Sequence, residues 1–466
     1  MIKRENFRAE ADSVLDWIDS YFKGLKNLSV KSCVKPREVY DKIPSEAPLQ
    51  GEELDSLLHD LDTIILPGIT HWQHPSFHAY FPANSSYESV LGEMATAAIG
   101  AQCMVWETSP AAAELEERMT EWMAAAAGLP GVFKGVIQDS ASSATLVAIL
   151  TAREKATRFQ SNLDGVPPGL RVYCSPEAHS SIEKGVGVAG IGRNNLVKIE
   201  TDAEQRMDPA KLEKAIADDL AAGLTPICVV AAIGSTGTLA IDPLPEIAAI
   251  CTKYQVWLHV DAAFAGTALL LPEYRHICNG IEHVDSLVFN PHKWMFVNFD
   301  CSLYYVKDTE MLVRTFDILP EYLKTATRGA VNDYRDWGIP LGRRFRALKL
   351  WFVLRGFGLE GIRQKLREHI ALSEYFASKI AQSGRFTLLR KPFLGFTLFR
   401  VNSDEDAVTE LLLKTVNASG KIYLSHTKVD SRFAIRFHST QTYIQKEDVD
   451  KAVDTLNNAI AVLPDL

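Results

Sequence analysis

From residue 86 to about 345 the chain alternates short apolar runs with amphipathic stretches of helical period. Runs of strand length lie at 171–175, 195–201, 226–233, 256–261, 286–290 and 301–306, and those at 256–260 and 286–289 are too apolar to be edge strands. Helical periodicity falls at 87–100, 110–127, 142–157, 180–188, 209–222 and 243–253. This alternation predicts an α/β fold built on a mostly parallel sheet with crossover helices. Upstream, Phe7, Ala11, Val14, Ile18, Tyr21, Phe22 and Leu25 share one helical face, and a second helix is expected over 51–66. These helices have no strands of their own, so they must pack on the main domain or on another copy of the chain. Residues 66–82, rich in aromatics and prolines, read as an irregular lead-in. Residues 317–336 lack a clear period and read as a disordered segment or a mobile lid. From 346 a long helix leads into a small α+β unit with strands near 394–400, 421–425 and 432–437. The expected divisions are therefore an N-terminal helical dimerisation segment (1–85), a large α/β domain (86–345) and a small C-terminal α+β domain (346–466).

Composition narrows the setting. The 466 residues are 47% hydrophobic and 23% charged, as in ordinary globular proteins. A net charge of −9 and the lack of any dense Lys/Arg run argue against a nucleic-acid partner. Seven scattered cysteines without CxxC spacing fit a reducing compartment better than a disulfide framework. The opening residues lead into a charged amphipathic stretch, not a signal peptide, and no run is long enough to span a bilayer. A cytoplasmic location without membrane attachment is expected.

Candidate chemistry gathers where the apolar runs stop. Val256–Val260 ends in Asp261-Ala262-Ala263, and Ser286–Phe289 ends in Asn290-Pro291-His292-Lys293. His179 follows the run at 171–175, and Thr236 follows the run at 226–233. Taken singly, a lysine or aspartate after a strand is a solvated loop residue or a cap. Four polar ends of successive parallel strands are instead what a cofactor crevice requires. An acid and an amine at neighbouring ends suit one chemistry in particular. A lysine amine condenses with the aldehyde of pyridoxal phosphate while a carboxylate keeps the pyridine nitrogen protonated. Asp139-Ser140-Ala141-Ser142-Ser143 begins a helix and could hold an anion on its open N–H groups, or could be a well-capped helix start with no ligand. There is no GxGxxG or GxxxxGK[ST] pattern to support a dinucleotide or nucleoside triphosphate. His71, His74 and His78 lack an acidic or thiol neighbour, and Pro75 interrupts any helical ligand face, so no metal is expected. Trp72, Phe77, Tyr80 and Phe81 form either a core cluster or the rigid wall of an apolar pocket.

With these motifs assembled, the chain resembles the group II pyridoxal-phosphate decarboxylases, and within them the aromatic-L-amino-acid decarboxylases. The resemblance runs through Thr70-His71-Trp72, Ala79-Tyr80-Phe81-Pro82, Ser140-Ala141-Ser142, Ala178-His179-Ser180-Ser181, His259-Val260-Asp261-Ala262-Ala263, Asn290-Pro291-His292-Lys293-Trp294, Asp333-Tyr334-Arg335 and Ile339-Pro340-Leu341-Gly342-Arg343. It implies a fold-type-I pyridoxal-phosphate enzyme that converts an aromatic L-amino acid to its amine and CO2. The substrate would be tyrosine, dopa, tryptophan, 5-hydroxytryptophan or phenylalanine. It implies that Lys293 carries the cofactor through its amine, Asp261 pairs with the pyridine nitrogen and His179 stacks on the ring. Ala141, Ser142, Asn290 and His292 would hold the phosphate, with Thr236 beside the ring and Ala263 among the cofactor contacts. The family's homodimers place active sites at the subunit interface. There Gly342 would approach the partner's phosphate, and Tyr322 would reach over the partner's site on a mobile loop as proton donor, with His292 as alternative or helper. Trp72, Tyr80, Phe81, Pro82, Gln102 and Met104 match substrate-pocket positions. Two departures stand out: the loop between Tyr322 and Tyr334 is slightly shorter than in the animal enzymes, and Gln102 and Met104 replace their Ile and Phe. An acid–pyridinium pair at roughly 4 Å is worth about 4 kcal/mol at an effective dielectric of 20, enough to raise the nitrogen pKa by about three. A decarboxylase of acidic amino acids would need a cation facing the substrate, where this chain offers aromatics. An aldehyde synthase or transaminase on the same scaffold is separated by assaying CO2, amine and aldehyde together.

Overall fold

A computed structural model describes residues 6–318, 327 and 329–463. Two compact units emerge: Ala83–His369, and Met1–Pro82 together with Ile370–Leu466. The division falls within the long helix Arg346–Gln382, and the N-terminal helical segment shares its unit with the C-terminal α+β elements.

Ala83–His369 is built on a seven-stranded sheet. Its strands are β1 (Lys134–Gln138), β2 (Leu170–Cys174), β3 (Leu196–Lys198), β4 (Thr225–Ala232), β5 (Trp257–Asp261), β6 (Ser286–Phe289) and β7 (Ser302–Val306). They are ordered β1-β7-β6-β5-β4-β2-β3. β3, β2, β4, β5 and β6 run parallel, β7 pairs antiparallel with β6, and β1 pairs antiparallel with β7. Val172, Cys174, Val230, Trp257 and Val288 are buried against Ala144, Val147 and Ala148 of the helix Ala141–Thr157. Both faces of the central strands are covered, which is why they read as unbroken apolar runs. β1 was not expected from the pattern. It is short, opens with an exposed lysine and includes Gly135. That glycine is required by packing, since a Cβ there would fall 2.6 Å from Thr120 Cβ and 2.7 Å from the Tyr305 ring. The direction of β7 is equally invisible to periodicity, because a buried strand looks alike in either sense.

The other unit holds a four-stranded antiparallel sheet ordered β10-β11-β9-β8. The strands are β8 (Phe386–Leu388), β9 (Phe396–Val401), β10 (Ser425–Val429) and β11 (Arg432–His438). The helices Asp406–Ala418 and Lys446–Ala461 contribute Leu412, Val416, Val449 and Leu456 to its core, where the Phe376 and Phe437 rings stack at 3.6 Å. β10 begins where the sequence expectation ended. The apolar Ile422 and Leu424 are buried ahead of it, and the strand itself alternates buried and exposed positions. The irregular segment 69–82 threads along this sheet through His71 N–H to Val30 O (2.9 Å), His78 N–H to Tyr423 O (2.9 Å) and His438 N–H to His78 O (3.1 Å). Helix Phe7–Gly24 has no buried residue. Among the described residues no helix is long and apolar enough to cross a membrane, and no group of His, Cys, Asp or Glu could hold a metal ion.

Candidate active site

The site begins with the register of three parallel strands. Asp261 ends β5 opposite Ala232 of β4 and Val288 of β6. Beyond the paired residues the backbones stay tied: Ile233 N–H donates to Asp261 O (2.9 Å), Ala262 N–H to Val288 O (3.0 Å) and Asn290 N–H to Ala263 O (2.9 Å). One oxygen of the Asp261 carboxylate accepts from Ala263 N–H at 3.0 Å, which fixes its orientation. Asp261 is half-buried.

After β6 the chain turns at once into the short helix Pro291–Trp294. The proline suits the first helical position because it has no N–H to satisfy. Lys293 N–H donates to Asn290 O at 2.9 Å, and Trp294 is buried, stacking at 5.0 Å on Phe264 and donating to His369 Nδ1 at 3.1 Å. His292 is buried, and its Nδ1 accepts from Cys301 N–H at 2.9 Å, leaving Nε2 to carry the proton. Burial, then the Lys293 charge, push its pKa down to about 3 against the pull of Asp300, so the imidazole is neutral. Asn84 grips this turn twice: its N–H donates to His292 O at 2.9 Å and its side-chain amide to Lys293 O. The sequence reading missed Asn84, and no local pattern marks it. It also missed Asp242, whose carboxylate accepts from Met207 N–H and Ala232 N–H, both at 2.7 Å, bracing the end of β4.

His179 joins the two charges. It follows β2, and its Nδ1 accepts from Ser181 N–H at 3.1 Å and meets Ser181 Oγ at 2.8 Å. Although the ring is solvent-exposed at one side, its pKa is lowered, first by the protein packed around it and then by Lys293, while Asp261 pulls it up. One imidazole thus lies within electrostatic reach of the carboxylate that ends β5 and the amine that follows β6. Thr236 is exposed in the turn after β4, where Ala240 N–H donates to Ser235 Oγ at 3.1 Å. Ala141 and Ser142 open the helix Ala141–Thr157, capped by Ser140 Oγ accepting from Ser143 N–H at 3.2 Å. The first N–H groups of such a helix have no intrahelical partner.

The remaining sequence-predicted residues fall into two other groups. Gly342, Gln102 and Met104 cluster together, with Arg343 N–H donating to Gln102 Oε1 (2.8 Å) and Arg335 N–H to Met104 O (2.9 Å). A Cβ at Gly342 would sit 3.2 Å from Gln102 Nε2. In the other unit Trp72 stacks on Tyr80 at 5.6 Å and meets Phe77 at 4.6 Å, while Phe81 meets His438 at 5.0 Å and Pro82 is buried. Tyr322 lies outside the described residues.

Burial of imidazoles carries a consequence for pH. His71 is held below its ordinary pKa by burial, His74 and His259 at about 4, and His78 and His292 at about 3. An unfolded histidine protonates near pH 6.5. Between that value and about pH 4 the unfolded chain binds more protons than the folded one, so stability falls as pH falls. Asp242 opposes this, because burial lifts its carboxyl to about 6. One histidine kept neutral costs about 2 kcal/mol of stability at pH 5, so several outweigh Asp242 together with Asp285, whose carboxyl burial also raises. Thermal unfolding of the cofactor-free protein is expected at a lower Tm at pH 5 than at pH 7; an equal or higher Tm at pH 5 contradicts this account.

Residues 36–402 match the family model described as the pyridoxal-dependent decarboxylase conserved domain. An aromatic-L-amino-acid decarboxylase from Sus scrofa is 39% identical, the alignment covering 98% of this chain and 97% of that one. A histidine decarboxylase from Drosophila melanogaster is 38% identical over 96% of this chain and 54% of its own length. A crystal structure of Oryza sativa TDC with PLP and tryptamine superposes with a TM-score of 0.95 at 32% identity, covering 99% of this chain and 98% of that one.

Proposed function

The chain belongs to the pyridoxal-dependent decarboxylases, and from that premise we propose that it removes the α-carboxylate of an aromatic L-amino acid, giving the amine and CO2, as a homodimer. The observation that carries the site assignment is the register that sets the Asp261 end of β5 beside the Asn290–Lys293 turn after β6, with Ala262 N–H on Val288 O and Asn290 N–H on Ala263 O. The residues fit the cofactor. An amine and a carboxylate flank an imidazole, a helix start offers N–H groups, and Asn290, 2% exposed, has a side-chain Oδ1 without a hydrogen-bond partner among the described residues.

Bound pyridoxal phosphate supplies an aldehyde for the substrate amine and a ring that accepts the electron pair left on Cα when CO2 departs. Lys293 would hold the cofactor through its side-chain amine. Asp261, fixed by Ala263 N–H, keeps the ring nitrogen protonated. His179 would lie against the ring, with Thr236 and Ala263 as further contacts to it. Ala141, Ser142, Asn290 and His292 hold the phosphate, and Gly342 leaves room for the partner's. Tyr322 returns a proton to Cα, helped by His292 through its Nε2–H. The Trp72, Phe77 and Tyr80 rings, mutually packed at 4.6 to 6.5 Å, support an aromatic side chain as the group recognised. Phe81 and Pro82 would extend that aromatic wall, and Gln102 and Met104 are proposed as substrate contacts on the family resemblance alone.

Initial rates across tyrosine, dopa, phenylalanine, tryptophan, 5-hydroxytryptophan and histidine test the substrate class. The highest kcat/KM is expected for one of the five aromatic substrates bearing a phenyl or indole ring. A highest value for histidine, or no amine and CO2 from any of the five, overturns the reading.

A further inference from the structure

His259 lies in the middle of β5, fully buried, two residues before Asp261 and so on the same face of the sheet. Both ring nitrogens are engaged: Nε2 with Thr145 Oγ1 at 3.2 Å and Nδ1 with Ser286 Oγ at 2.9 Å. Ser286 opens β6, and its Oγ accepts from Trp257 Nε1–H at 3.0 Å. A serine hydroxyl offers one proton and two lone pairs, so Ser286 can hold the indole N–H and His259 Nδ1 together, and a neutral imidazole donates on one side and accepts on the other. Thr145 sits in the second turn of helix Ala141–Thr157, and Thr145, His259 and Ser286 are each 0% exposed. A single buried chain of hydrogen bonds therefore joins the strand that ends in Asp261, the strand that leads to Lys293, and the helix that begins at Ala141.

We propose that His259 is a positioning residue that fixes the span between the Asp261 carboxylate and the start of the Ala141–Thr157 helix, so that pyridoxal phosphate meets its ring-nitrogen and phosphate partners in register. Around it the helix–strand contact is mainly apolar, with Ala144, Val147 and Ala148 packed against Val230, Trp257 and Val288, and Lys155 Nζ lies over the Trp257 ring at 5.2 Å. Apolar contacts are not directional and resist small sliding only weakly, whereas a hydrogen-bonded side chain sets one register. Burial holds the imidazole pKa at about 4 even with Asp261 pulling it up, so the ring stays neutral near pH 7 and both bonds persist. His259 touches neither substrate nor cofactor on this account; it acts through Asp261 and Thr145. The inference rests on the cofactor placement proposed above.

The test uses cofactor binding to the full-length protein. Thr145→Val removes one hydroxyl and keeps the side-chain shape. It is expected to weaken pyridoxal phosphate binding about tenfold and to shift the absorbance maximum of the bound cofactor, with helix content unchanged. His259→Leu should weaken binding similarly, and the double variant should lose no more than either alone, because both remove the same tether. His259→Gln, whose amide can still donate to Thr145, should hold affinity within about threefold of wild type. Thr145→Val alone decides the matter if His259→Leu does not fold. Unchanged affinity and spectrum in Thr145→Val, or losses that add in the double variant, overturn the tether. A parallel Asp261→Ala variant separates the two levels. If it too binds cofactor normally with an unaltered spectrum, the placement itself fails; if it is impaired while Thr145→Val is not, only the tether fails.

Discussion

Lys293→Ala is expected to lose turnover by at least about a thousandfold and to lack the visible absorbance of an amine-attached cofactor. The amine is the group that would hold the aldehyde in place, and neither His292 nor Asn84 can take over that bond. His292 is neutral, with Nδ1 occupied by Cys301 N–H, and Asn84 is engaged with the turn's own carbonyls. The position is also prepared for this residue. Asn290 O and Asn84 fix the backbone on either side, and Trp294 is anchored between Phe264 and His369. Because these contacts involve the backbone and neighbouring side chains, the substitution should leave the fold intact. The comparison is steady-state amine production beside an absorbance spectrum of the same sample. A variant that decarboxylates at a normal rate refutes the assignment.

Asp261→Asn is the second large effect. An asparagine keeps the shape and can still accept from Ala263 N–H, but it removes the charge that would hold the ring nitrogen protonated. A loss of about 4 kcal/mol in stabilising the protonated ring corresponds to a fall in kcat on the order of a thousandfold. KM should change far less, since the substrate's side chain would be held by other residues. The pKa of His179 offers an independent readout. With the carboxylate gone, Lys293 and burial act unopposed, so the imidazole should titrate lower than in the wild-type cofactor-free protein. A kcat within tenfold of wild type, or an unchanged His179 titration, would show that Asp261 does not serve this ring.

The parts of the fold legible in the sequence were those written by burial on two faces. β2, β4, β5, β6 and β7 announce themselves as apolar runs, and abrupt polar endings at Asp261 and Asn290 mark the side of the sheet where chemistry could gather. β1 was hidden because an edge lysine and a packing-required glycine dilute its pattern. β10 was misplaced by a few residues because the buried Ile422 and Leu424 lie before the strand, not in it. Asp261, Lys293 and His179 could be singled out by position. Asn84, Asp242 and His259 could not, since each works through contacts distant in sequence. Asn84 reaches 209 residues to Lys293, Asp242 reaches 35 residues back to Met207 N–H, and His259 reaches 114 residues back to Thr145. An isolated asparagine, a buried aspartate and a histidine inside an apolar strand carry no local signature of such roles.

Reduction of the cofactor-loaded protein with borohydride, followed by proteolysis and mass spectrometry, tests the central claim most directly. It locks the cofactor onto whichever amine it occupies. The account predicts a phosphopyridoxyl group on the peptide containing Lys293 and on no other. A label on a different lysine, or no label on a protein that still decarboxylates, would contradict it.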